Sequence, residues 1–370
     1  MELILNAGIG IGFLMFLLLL FKKNKTGGDY FFLFFVLAIL LQICFYQTTI
    51  FLFDLKGLPA LVGFAIPLIS SPLLFLYILS LTGQKVTWSL VLAHLGIYFL
   101  YIILVLLFKE DMELIASNGF LELPVNSPAI MYYYAVPMAI SGLVYSIWDL
   151  FLLKNHQNRI SQLFSSHEKI NLNWVRYLVY SFFVIFIVTS FVIFGATNFQ
   201  IFRLDSAFAL VGIALSLFLI AFGFYGLKQT TVFSNIGYDI PEIKVKAYSK
   251  SGLTKEKISE GAVKIEKIMT SEKLFLDDEL TLNLLSEKCE IPSSHISQII
   301  NQHFRMNFYD FVNRYRINEA KKMLLSTEYD KLSVLGIAYD CGFKSKSSFN
   351  RYFKKFCAET PSEFKKNQVK

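Results

Sequence analysis

Two groups of polar side chains near the C-terminal end of the chain are suited to hydrogen-bond the edges of nucleic-acid bases. The first group carries little charge and consists of Ser294, His295, Ser297, Gln298 and Asn301. The second group adds positive charge and consists of Lys346, Ser347, Asn350, Arg351 and Lys354. Amide side chains pair well with adenine in the major groove, and Lys and Arg bind both guanine and backbone phosphates. These side-chain types therefore predict a contact with double-stranded DNA.

The second group lies in a strongly basic end of the chain. Residues 344–370 contain eight Lys and Arg residues against two acidic ones, Glu359 and Glu363, which gives a net charge of +6. Such a stretch predicts contact with phosphates. For Arg351 we favour contact with a base or a phosphate, whereas for the last lysines we favour a solvated charged face. Those lysines are Lys365, Lys366 and Lys370.

Each group is predicted to lie on the second helix of a helix-turn-helix pair. In the first pair Thr281 is the predicted N-cap of a short helix, a turn follows at 290–292, and Ser293 is predicted to cap the second helix. Ser333 and Ser345 take the same places in the second pair. In DNA-binding proteins built this way, the second helix of the pair enters the major groove.

Two further helices complete the predicted C-terminal region. Thr254 is a predicted N-cap for an amphipathic helix that runs to about Met269. A long helix at Phe308–Leu325 is predicted to join the two pairs. A rigid connector of this length can hold two reading helices on one face, about 34 Å apart, which is one turn of DNA.

Residues 254–366 resemble the C-terminal domain of the AraC family of transcriptional regulators. In the first pair and the connector, the resemblance rests on Leu282, Leu285, Phe308, Phe311, Arg316, Ile317 and Ala320. In the second pair it rests on Ile337, Ala338, Gly342, Phe343, Ser348, Phe349, Arg351, Phe353, Lys354, Thr360 and Pro361. The resemblance implies binding to asymmetric promoter sites through two such units, often with activation of transcription. It implies promoter DNA and RNA polymerase as partners.

The chain departs from the family pattern in two ways. The family usually has Gly after each reading helix, where a left-handed cap is needed. Arg305 and Ala358 occupy those positions, at a cost of about 1 kcal/mol each in that conformation, so caps of another kind are the alternative. The family also commonly carries a soluble sugar-binding or oligomerisation domain, which an apolar region replaces, so the family's effectors do not carry over.

The region before residue 229 has the composition of a membrane domain. The chain is 55% hydrophobic and only 17% charged, and its apolar residues are concentrated in this region. A bilayer core about 30 Å thick needs roughly 20 apolar residues of helix. Seven stretches fit: Leu3–Phe21, Tyr30–Phe53, Leu58–Leu81, Trp88–Phe108, Ala129–Leu153, Tyr177–Gly195 and Ser206–Leu227. Three prolines in the third predict a kink.

The charges between these stretches predict an orientation. Lys22, Lys23 and Lys25 follow the first apolar stretch, and no positive charge precedes it, which is the reverse of a cleavable signal peptide. With the N-terminus outside, the inner loops hold seven basic residues and the outer loops three. The positive-inside rule then places the C-terminus in the cytoplasm. We therefore predict a multi-pass protein of the bacterial inner membrane.

Polar residues within the spans are the candidates for sensing a signal. His94, Gln42 and Asp149 are the residues of this kind that we single out. A ligand contact or a proton-sensitive group is one interpretation, and an interhelical hydrogen bond that only holds the bundle together is the other. The acidic outer loop 109–128 is suited to a cation or a basic peptide, but a solvated connector is the commoner role of such a loop.

The sequence lacks the residue patterns that the common classes of enzyme need for catalysis. Cys44, Cys289, Cys341 and Cys357 have no metal-ligand spacing, and the sequence shows neither a phosphate-binding Gly loop nor a zinc-binding His motif. We therefore predict a protein that is not an enzyme and that needs no cofactor or metal.

The sequence as a whole predicts an all-α chain in three parts. Residues 1–228 form a seven-helix membrane domain, 229–253 a linker, and 254–370 the DNA-binding domain. The predicted function is to couple a signal, a small molecule or a protein, to promoter binding, and a homodimer would read a longer site more tightly. Two alternatives stay open: a tethered transcription factor released by proteolysis in the linker, and a membrane receptor whose helix-turn-helix domain binds another protein.

Overall fold

The chain forms two compact units. The computed structural model describes residues 1–52, 58–107, 115–117, 120–122, 128–166, 170–199, 201, 203–228 and 253–368. One unit comprises Met1–Lys154 and Leu172–Ile240, and the other comprises Asn155–Asn171 and Pro241–Lys370. The predicted linker lies outside the described residues except for its last residue, Leu253.

Long apolar helices make up the first unit. They are α1 (Glu2–Leu20), α2 (Gly27–Leu52), α3 (Leu58–Leu81), α4 (Trp88–Leu107), α5 (Pro128–Leu163), α6 (Asn173–Asn198) and α7 (Leu204–Lys228). Helix α5 continues across the division, so that its last turns belong to the second unit. Helix α3 is continuous through Pro67 and Pro72.

A short hairpin between α4 and α5 departs from the all-helical prediction. Strands β1 (Ile115–Ser117) and β2 (Phe120–Glu122) pair antiparallel, with Ser117 opposite Phe120. The two residues between the strands are Asn118 and Gly119, and Asn-Gly is the strongest short-range signal for a two-residue hairpin turn. The Asn-Gly pair is a local signal in the sequence, and the role of 109–128 as a solvated connector stays a prediction.

Five helices in the described residues are long and apolar enough to cross a membrane. They cover Glu2–Leu20, Gly27–Thr48, Val136–Leu163, Asn173–Ala196 and Ser206–Phe224. The third and fourth predicted spans correspond to the shorter apolar helical segments Ala65–Leu81 and Trp88–Ile103. The five helices agree with five of the seven predicted spans, and the count of seven stays a prediction.

Close helix packing around α2 holds the first unit together. Phe32, Phe35, Ile39 and Ile43 of α2 are almost completely buried. On α1, the glycine at position 8 lets the chain approach α7, because a Cβ there would lie 2.4 Å from the Ser216 Cβ. Small residues that allow close approach are the usual contacts between membrane helices.

In its described residues, the second unit contains seven shorter α-helices, two 3-10 helices (Leu274–Leu276 and Thr327–Tyr329) and the end of α5. The helices are α8 (Lys255–Ser271), α9 (Leu282–Cys289), α10 (Ser293–Gln302), α11 (Phe308–Leu325), α12 (Val334–Asp340), α13 (Lys346–Cys357) and α14 (Pro361–Gln368). The pairs α9–α10 and α12–α13 are the two predicted helix-turn-helix pairs, and α11 is the predicted connector. These predictions of helix type and order are confirmed.

Ser and Thr side chains begin most of these helices, as predicted. The hydroxyl oxygens of Thr254, Thr281, Ser333 and Ser345 each accept a hydrogen bond from a backbone N–H in the first turn. The prediction for Ser293 is wrong, because α10 begins one residue earlier than expected. Pro292 is its N-cap, and the Ser293 hydroxyl instead donates to the Asn283 side-chain oxygen at 2.9 Å.

Each helix-turn-helix pair has its own core. In the first pair, α8 packs against α10, where a Cβ at Gly261 would lie 2.5 Å from the Ile299 Cδ1. The second pair packs on α11 through a mainly apolar and aromatic cluster. That cluster includes Ile317, Ala320, Leu324, Ile337, Ala338, Cys341, Phe343, Phe349, Tyr352, Phe353 and Phe364. The connector α11 therefore packs against both reading helices, α10 and α13, and holds each of them in position.

Candidate nucleic-acid interface

The first reading helix, α10, carries its predicted contact residues on one face. Ser294, Ser297, Gln298 and Asn301 follow at helical spacings of three and four residues, so they line one stripe. The opposite stripe holds Ile296, Ile299 and Ile300, which are buried in the core. Helix α10 is therefore amphipathic, with its apolar stripe packed in the core and its polar stripe on the opposite side.

The polar stripe of α10 is only partly exposed. Ser294 is exposed, and His295 and Asn301 are half-buried. Ser297 and Gln298 have relative exposures of only 7% and 3%. The Asn301 side-chain amide donates to the Ser297 carbonyl at 2.8 Å, and the Gln298 amide donates to the Gln302 side-chain oxygen at 3.3 Å.

The burial of Gln298 has a chemical consequence. Its side-chain oxygen Oε1 is buried and accepts no hydrogen bond within the part of the chain that the structure describes. An unsatisfied buried acceptor is costly, and a base edge cannot reach a side chain that is 3% exposed. In this conformation α10 therefore presents Ser294, His295 and Asn301 to an incoming ligand, but neither Ser297 nor Gln298.

The second reading helix, α13, presents its predicted contact residues fully. Lys346, Ser347, Arg351 and Lys354 are exposed, and Asn350 is half-buried. Their spacing puts them on one stripe opposite Phe349 and Phe353, which are completely buried. The tight turn before α13 contains Gly342 with φ of 84°, a conformation that side chains rarely adopt. Helix α13 thus offers a basic, hydrogen-bonding surface.

Neighbouring side chains hold Arg351 in place at this surface. Its Nη2 donates to the Tyr309 hydroxyl at 3.0 Å, and its guanidinium lies 5.3 Å from the centre of the Tyr352 ring. The Tyr352 hydroxyl in turn donates to Asp310 at 3.0 Å. A guanidinium with a fixed position loses less conformational freedom when it binds a base or a phosphate.

Some of the basic residues in 344–370 form ion pairs within the unit. Lys344 pairs with Asp278 and Glu279, and Lys355 pairs with Asp310. Lys365, predicted as part of a solvated face, lies 3.0 Å from Asp330. The net charge of the stretch therefore overstates the positive charge that is directed at a ligand, which is concentrated in Lys346, Arg351 and Lys354.

A non-Gly residue with positive φ follows each reading helix at the position where the family usually has glycine. Arg305 has φ of 54° and Ala358 has φ of 63°. Ala358 is the left-handed C-cap of α13, so the alternative of a differently built cap is wrong there. Helix α10 instead ends in a right-handed C-cap, His303, with Arg305 two residues beyond it, so that alternative holds for α10. The family's backbone geometry is kept at these two positions, and each non-Gly residue costs about 1 kcal/mol there.

Arg316, which the sequence singles out only as part of the family pattern, makes five side-chain hydrogen bonds in the second unit. It is 1% exposed. Its guanidinium donates to the carbonyls of Phe275, Asp277 and Ser165 at 2.7, 2.7 and 2.9 Å. It also donates to the Ser165 hydroxyl at 3.1 Å and to the Asn313 side-chain oxygen at 3.3 Å. Burial lowers the pKa of Arg316 to about 10, so it stays charged at neutral pH.

The structure places His94, a candidate for sensing, in a contact between helices. Its Nδ1 lies 2.7 Å from the Tyr145 hydroxyl, which joins α4 to α5. The rings of Phe75 and Trp148 lie 4.9 and 5.7 Å from the imidazole, measured between ring centres. These contacts match the interpretation in which His94 holds the bundle together.

Gln42 and Asp149 are more deeply buried. The Gln42 amide donates to the Tyr46 hydroxyl at 3.0 Å, and its side chain lines a cavity of about 30 Å³ that has room for a water molecule. Asp149 is 1% exposed, and its Oδ1 has no hydrogen-bond partner among the described residues. The three candidates do not line one cavity in the described part of the first unit, since only Gln42 borders this one.

Comparison with known sequences identifies the C-terminal region. Residues 285–367 match the family model of the helix-turn-helix domain. An uncharacterized HTH-type transcriptional regulator of Staphylococcus aureus strain COL is 31% identical over 102 residues, which cover 28% of this chain and 13% of that protein. The melibiose operon regulatory protein of Escherichia coli K12 is 29% identical over 90 residues, covering 24% of this chain and 29% of that protein.

Two solved structures show similar coverage. One is a protein of Listeria innocua, with 30% identity over 28% of this chain and 94% of that one, and a TM-score of 0.25. The other is the C-terminal domain of the two-component response regulator yesN from Fusobacterium nucleatum, with 31% identity over 29% and 98%, and a TM-score of 0.25.

The aligned part is only 13% of the staphylococcal relative, so this chain spans a small part of that protein's length. At the C-terminal end of this chain, the two helix-turn-helix pairs and the sequence match agree. The C-terminal region of this chain, from residue 285 to residue 367, is therefore a helix-turn-helix domain of the AraC type.

Proposed function

We propose that this protein is a membrane-embedded regulator of transcription that binds specific promoter DNA. The observation that carries the proposal is the exposed stripe on α13, where Lys346, Arg351 and Lys354 project from a helix-turn-helix domain of the AraC type. Positive side chains bind phosphates, while Asn350 and Arg351 have the chemistry to read base edges. Of the ten polar residues predicted on α10 and α13, the eight that are exposed or half-buried are the proposed contacts in this conformation. Ser297 and Gln298 are proposed contacts only in a conformation that exposes them.

The proposed membrane domain comprises residues 1–228 with seven spans and the N-terminus outside. Large apolar side chains on the surface of the first unit support it, among them Leu92 of α4 and Phe191 of α6, which are 69% and 67% exposed. Such side chains are costly in water and suited to lipid. The proposed location is the bacterial inner membrane, with the DNA-binding domain in the cytoplasm.

The proposed coupling runs from the bundle to the promoter. A small molecule or a protein partner would shift the membrane helices, and His94, Gln42 and Asp149 are the proposed sensing residues. RNA polymerase is the proposed downstream partner, and a homodimer would supply two DNA-binding domains for one site. A signal must bind one conformation of the bundle better than the other in order to act.

The direct test is a gel shift with full-length protein in detergent micelles. The probe is the duplex that the wild-type protein selects from a randomised pool. Arg351→Ala removes a base or phosphate contact, so we expect a loss of affinity of about 1–3 kcal/mol, which is roughly 5- to 150-fold. Lys366→Ala is the matched control, because Lys366 is exposed on α14, away from the reading stripe, and should leave affinity nearly unchanged. Equal affinity of wild type and Arg351→Ala would contradict the proposal.

A further inference from the structure

Phe164 and Ser165, which directly follow α5, contact the DNA-binding domain. Ser165, two residues beyond the end of α5, is 1% exposed. Its backbone N–H donates to the Leu280 carbonyl at 3.1 Å, and Phe164 forms an antiparallel bridge with Thr281. Thr281 is the N-cap of α9, where the first helix-turn-helix pair begins. The end of a predicted membrane helix is therefore bonded to the backbone of the reading domain.

Arg316 receives the docked segment. Two of its five hydrogen bonds go to Ser165, one to the carbonyl and one to the hydroxyl. Two more go to the Phe275 and Asp277 carbonyls, in the segment that leads into the first pair. A buried guanidinium must keep its donors satisfied, so the loss of Ser165 would require water or a rearranged backbone at this point.

The same guanidinium also touches the second helix-turn-helix pair. It lies 5.8 Å from the centre of the Phe343 ring. A Cβ at Gly342, in the turn of the second pair, would lie 3.0 Å from the Arg316 Nε and 2.8 Å from the Phe275 carbonyl oxygen. Arg316 thus stands where the entry to the first pair, the connector and the turn of the second pair meet. Its surroundings set how the two reading helices are oriented relative to each other.

In the docked conformation part of the reading surface of α10 is buried, and this part must become exposed before it can contact DNA. Ser297 and Gln298, two proposed base contacts of α10, are buried in this same structure, and Gln298 Oε1 accepts no hydrogen bond from any described residue. The reading stripe of α13 is exposed. A protein in this conformation can contact DNA through its second pair but lacks part of the first pair's reading surface.

We propose that residues 164 and 165, which directly follow α5, form an internal lock: while Ser165 is docked on Arg316, the domain is held in a conformation of low DNA affinity, and withdrawal of these two residues releases it. This inference rests on the DNA binding proposed above and supplies the route by which the membrane bundle controls it. Among the described residues, the hydrogen bonds of Ser165 and the bridge of Phe164 are the contacts assigned to the lock. A coupling of this kind typically changes affinity by about 5- to 150-fold, which a few hydrogen bonds can supply.

A disulfide can test whether the docking occurs in the membrane. Bridged residues in an antiparallel pair have Cα atoms about 4.5–5.5 Å apart, within the range that a disulfide spans. We expect the double variant Phe164→Cys with Thr281→Cys to form a disulfide on mild oxidation of membranes that contain the full-length protein. Mass spectrometry of the linked peptides identifies it.

The controls for the disulfide are on the same helix. Each single variant reports pairing with the native thiols. Phe164→Cys with Lys288→Cys places the second thiol on an exposed position seven residues along α9, about 10 Å from Thr281. A disulfide in the Thr281→Cys double variant alone supports the docking. No disulfide in that variant, or equal yields in both double variants, would overturn it.

The locked protein then tests the effect on DNA. The probe is again the duplex selected by the wild-type protein, and the readout is the dissociation constant with and without reductant. We expect the oxidised double variant, Phe164→Cys with Thr281→Cys, to bind at least about fivefold more weakly than its reduced form, the lower end of typical coupling factors. Equal affinity in the two states would show that the docking does not control DNA binding.

A substitution that is expected to raise the DNA affinity distinguishes release of the lock from misfolding of the domain, because misfolding would lower the affinity. Ser165→Lys places a second positive charge beside the buried guanidinium, so we expect undocking and a DNA affinity about fivefold higher than wild type. Ser161→Lys is the control, because the Ser161 hydroxyl donates only to the Asn158 carbonyl of its own helix. Unchanged or reduced affinity in Ser165→Lys contradicts the lock. If the wild-type protein selects no duplex at all, the proposed function fails instead.

Discussion

Arg316 makes more hydrogen bonds within the second unit than its place in the sequence pattern indicates. It was noted as one of several matches to a family, yet it is 1% exposed and bonds to four other residues. Its partners are mainly backbone carbonyls, which no sequence motif records. The planar fork of a guanidinium can reach several carbonyls at once, whereas an ammonium group cannot.

A substitution at Arg316 should therefore be far from conservative. We expect Arg316→Lys to destabilise the C-terminal domain by about 2–4 kcal/mol, because several buried acceptors lose their donor. Hydrogen exchange of the full-length protein in micelles would show this as faster exchange along α11 and α12. Arg314→Lys is the control, since Arg314 is half-buried and lies over the Phe304 and Tyr315 rings. Equal protection in the two variants would contradict this role of Arg316.

The buried thiols give the domain a defined response to alkaline pH. Burial raises the pKa of Cys289 to about 11 and that of Cys341 to about 12, from an ordinary value of 9.0. The unfolded chain loses these protons at a lower pH than the folded one. The stabilisation is therefore complete below about pH 9 and is lost as the pH rises through the folded-state values.

This response can be followed with an alkylating reagent. At pH 8 we expect iodoacetamide to label the half-buried Cys357 before Cys289 and Cys341, both of which have 0% exposure. Protection of Cys289 and Cys341 should fall above pH 9. Mass spectrometry of the labelled peptides measures each site. Rapid labelling of Cys341 at pH 8 would contradict its burial beside Arg316.

At the scale of elements, local signals in the sequence predicted most of the helices. Thr254, Thr281, Ser333 and Ser345 were correct N-caps because capping depends on the residue and its next three neighbours. The prediction that Ser293 is an N-cap is wrong because Pro292, whose ring fixes φ, is the N-cap of α10.

Other features were outside the reach of local signals. The docking of Ser165 on Arg316 joins residues that are 151 positions apart, and no periodicity encodes such a contact. The burial of Ser297 and Gln298 likewise depends on packing, because the polar stripe of α10 predicts an exposed face. Tertiary structure overrides both patterns here.

The turn of the second pair offers a test at this scale. Gly342→Ala should destabilise the domain by about 2 kcal/mol or more, since φ of 84° disfavours a side chain and the new Cβ would lie 2.7 Å from the Leu276 carbonyl oxygen. Gly336→Ala is the control on the preceding helix, where the nearest atom to a Cβ lies at 3.5 Å. There we expect a gain of up to about 1 kcal/mol from helix propensity. The two changes in exchange protection of α13 should therefore have opposite signs, and equal signs would contradict the assigned geometry.

For the whole molecule, the central claim is that one chain joins apolar, membrane-sized helices to a domain that reads promoters. Helix α5 is the element that belongs to both units, and it ends two residues before the serine docked on Arg316. A regulator built in this way needs no soluble messenger between the membrane and the chromosome. In the proposed function, the promoter DNA binds to the protein at the membrane.

The most direct test of that claim is chromatin immunoprecipitation with sequencing of the tagged full-length protein, recovered from the membrane fraction of its own cells. The account predicts a discrete set of promoter sites for the wild-type protein and the loss of those sites in Arg351→Ala. Enrichment that is uniform along the chromosome, or a set of sites that Arg351→Ala leaves unchanged, would contradict it.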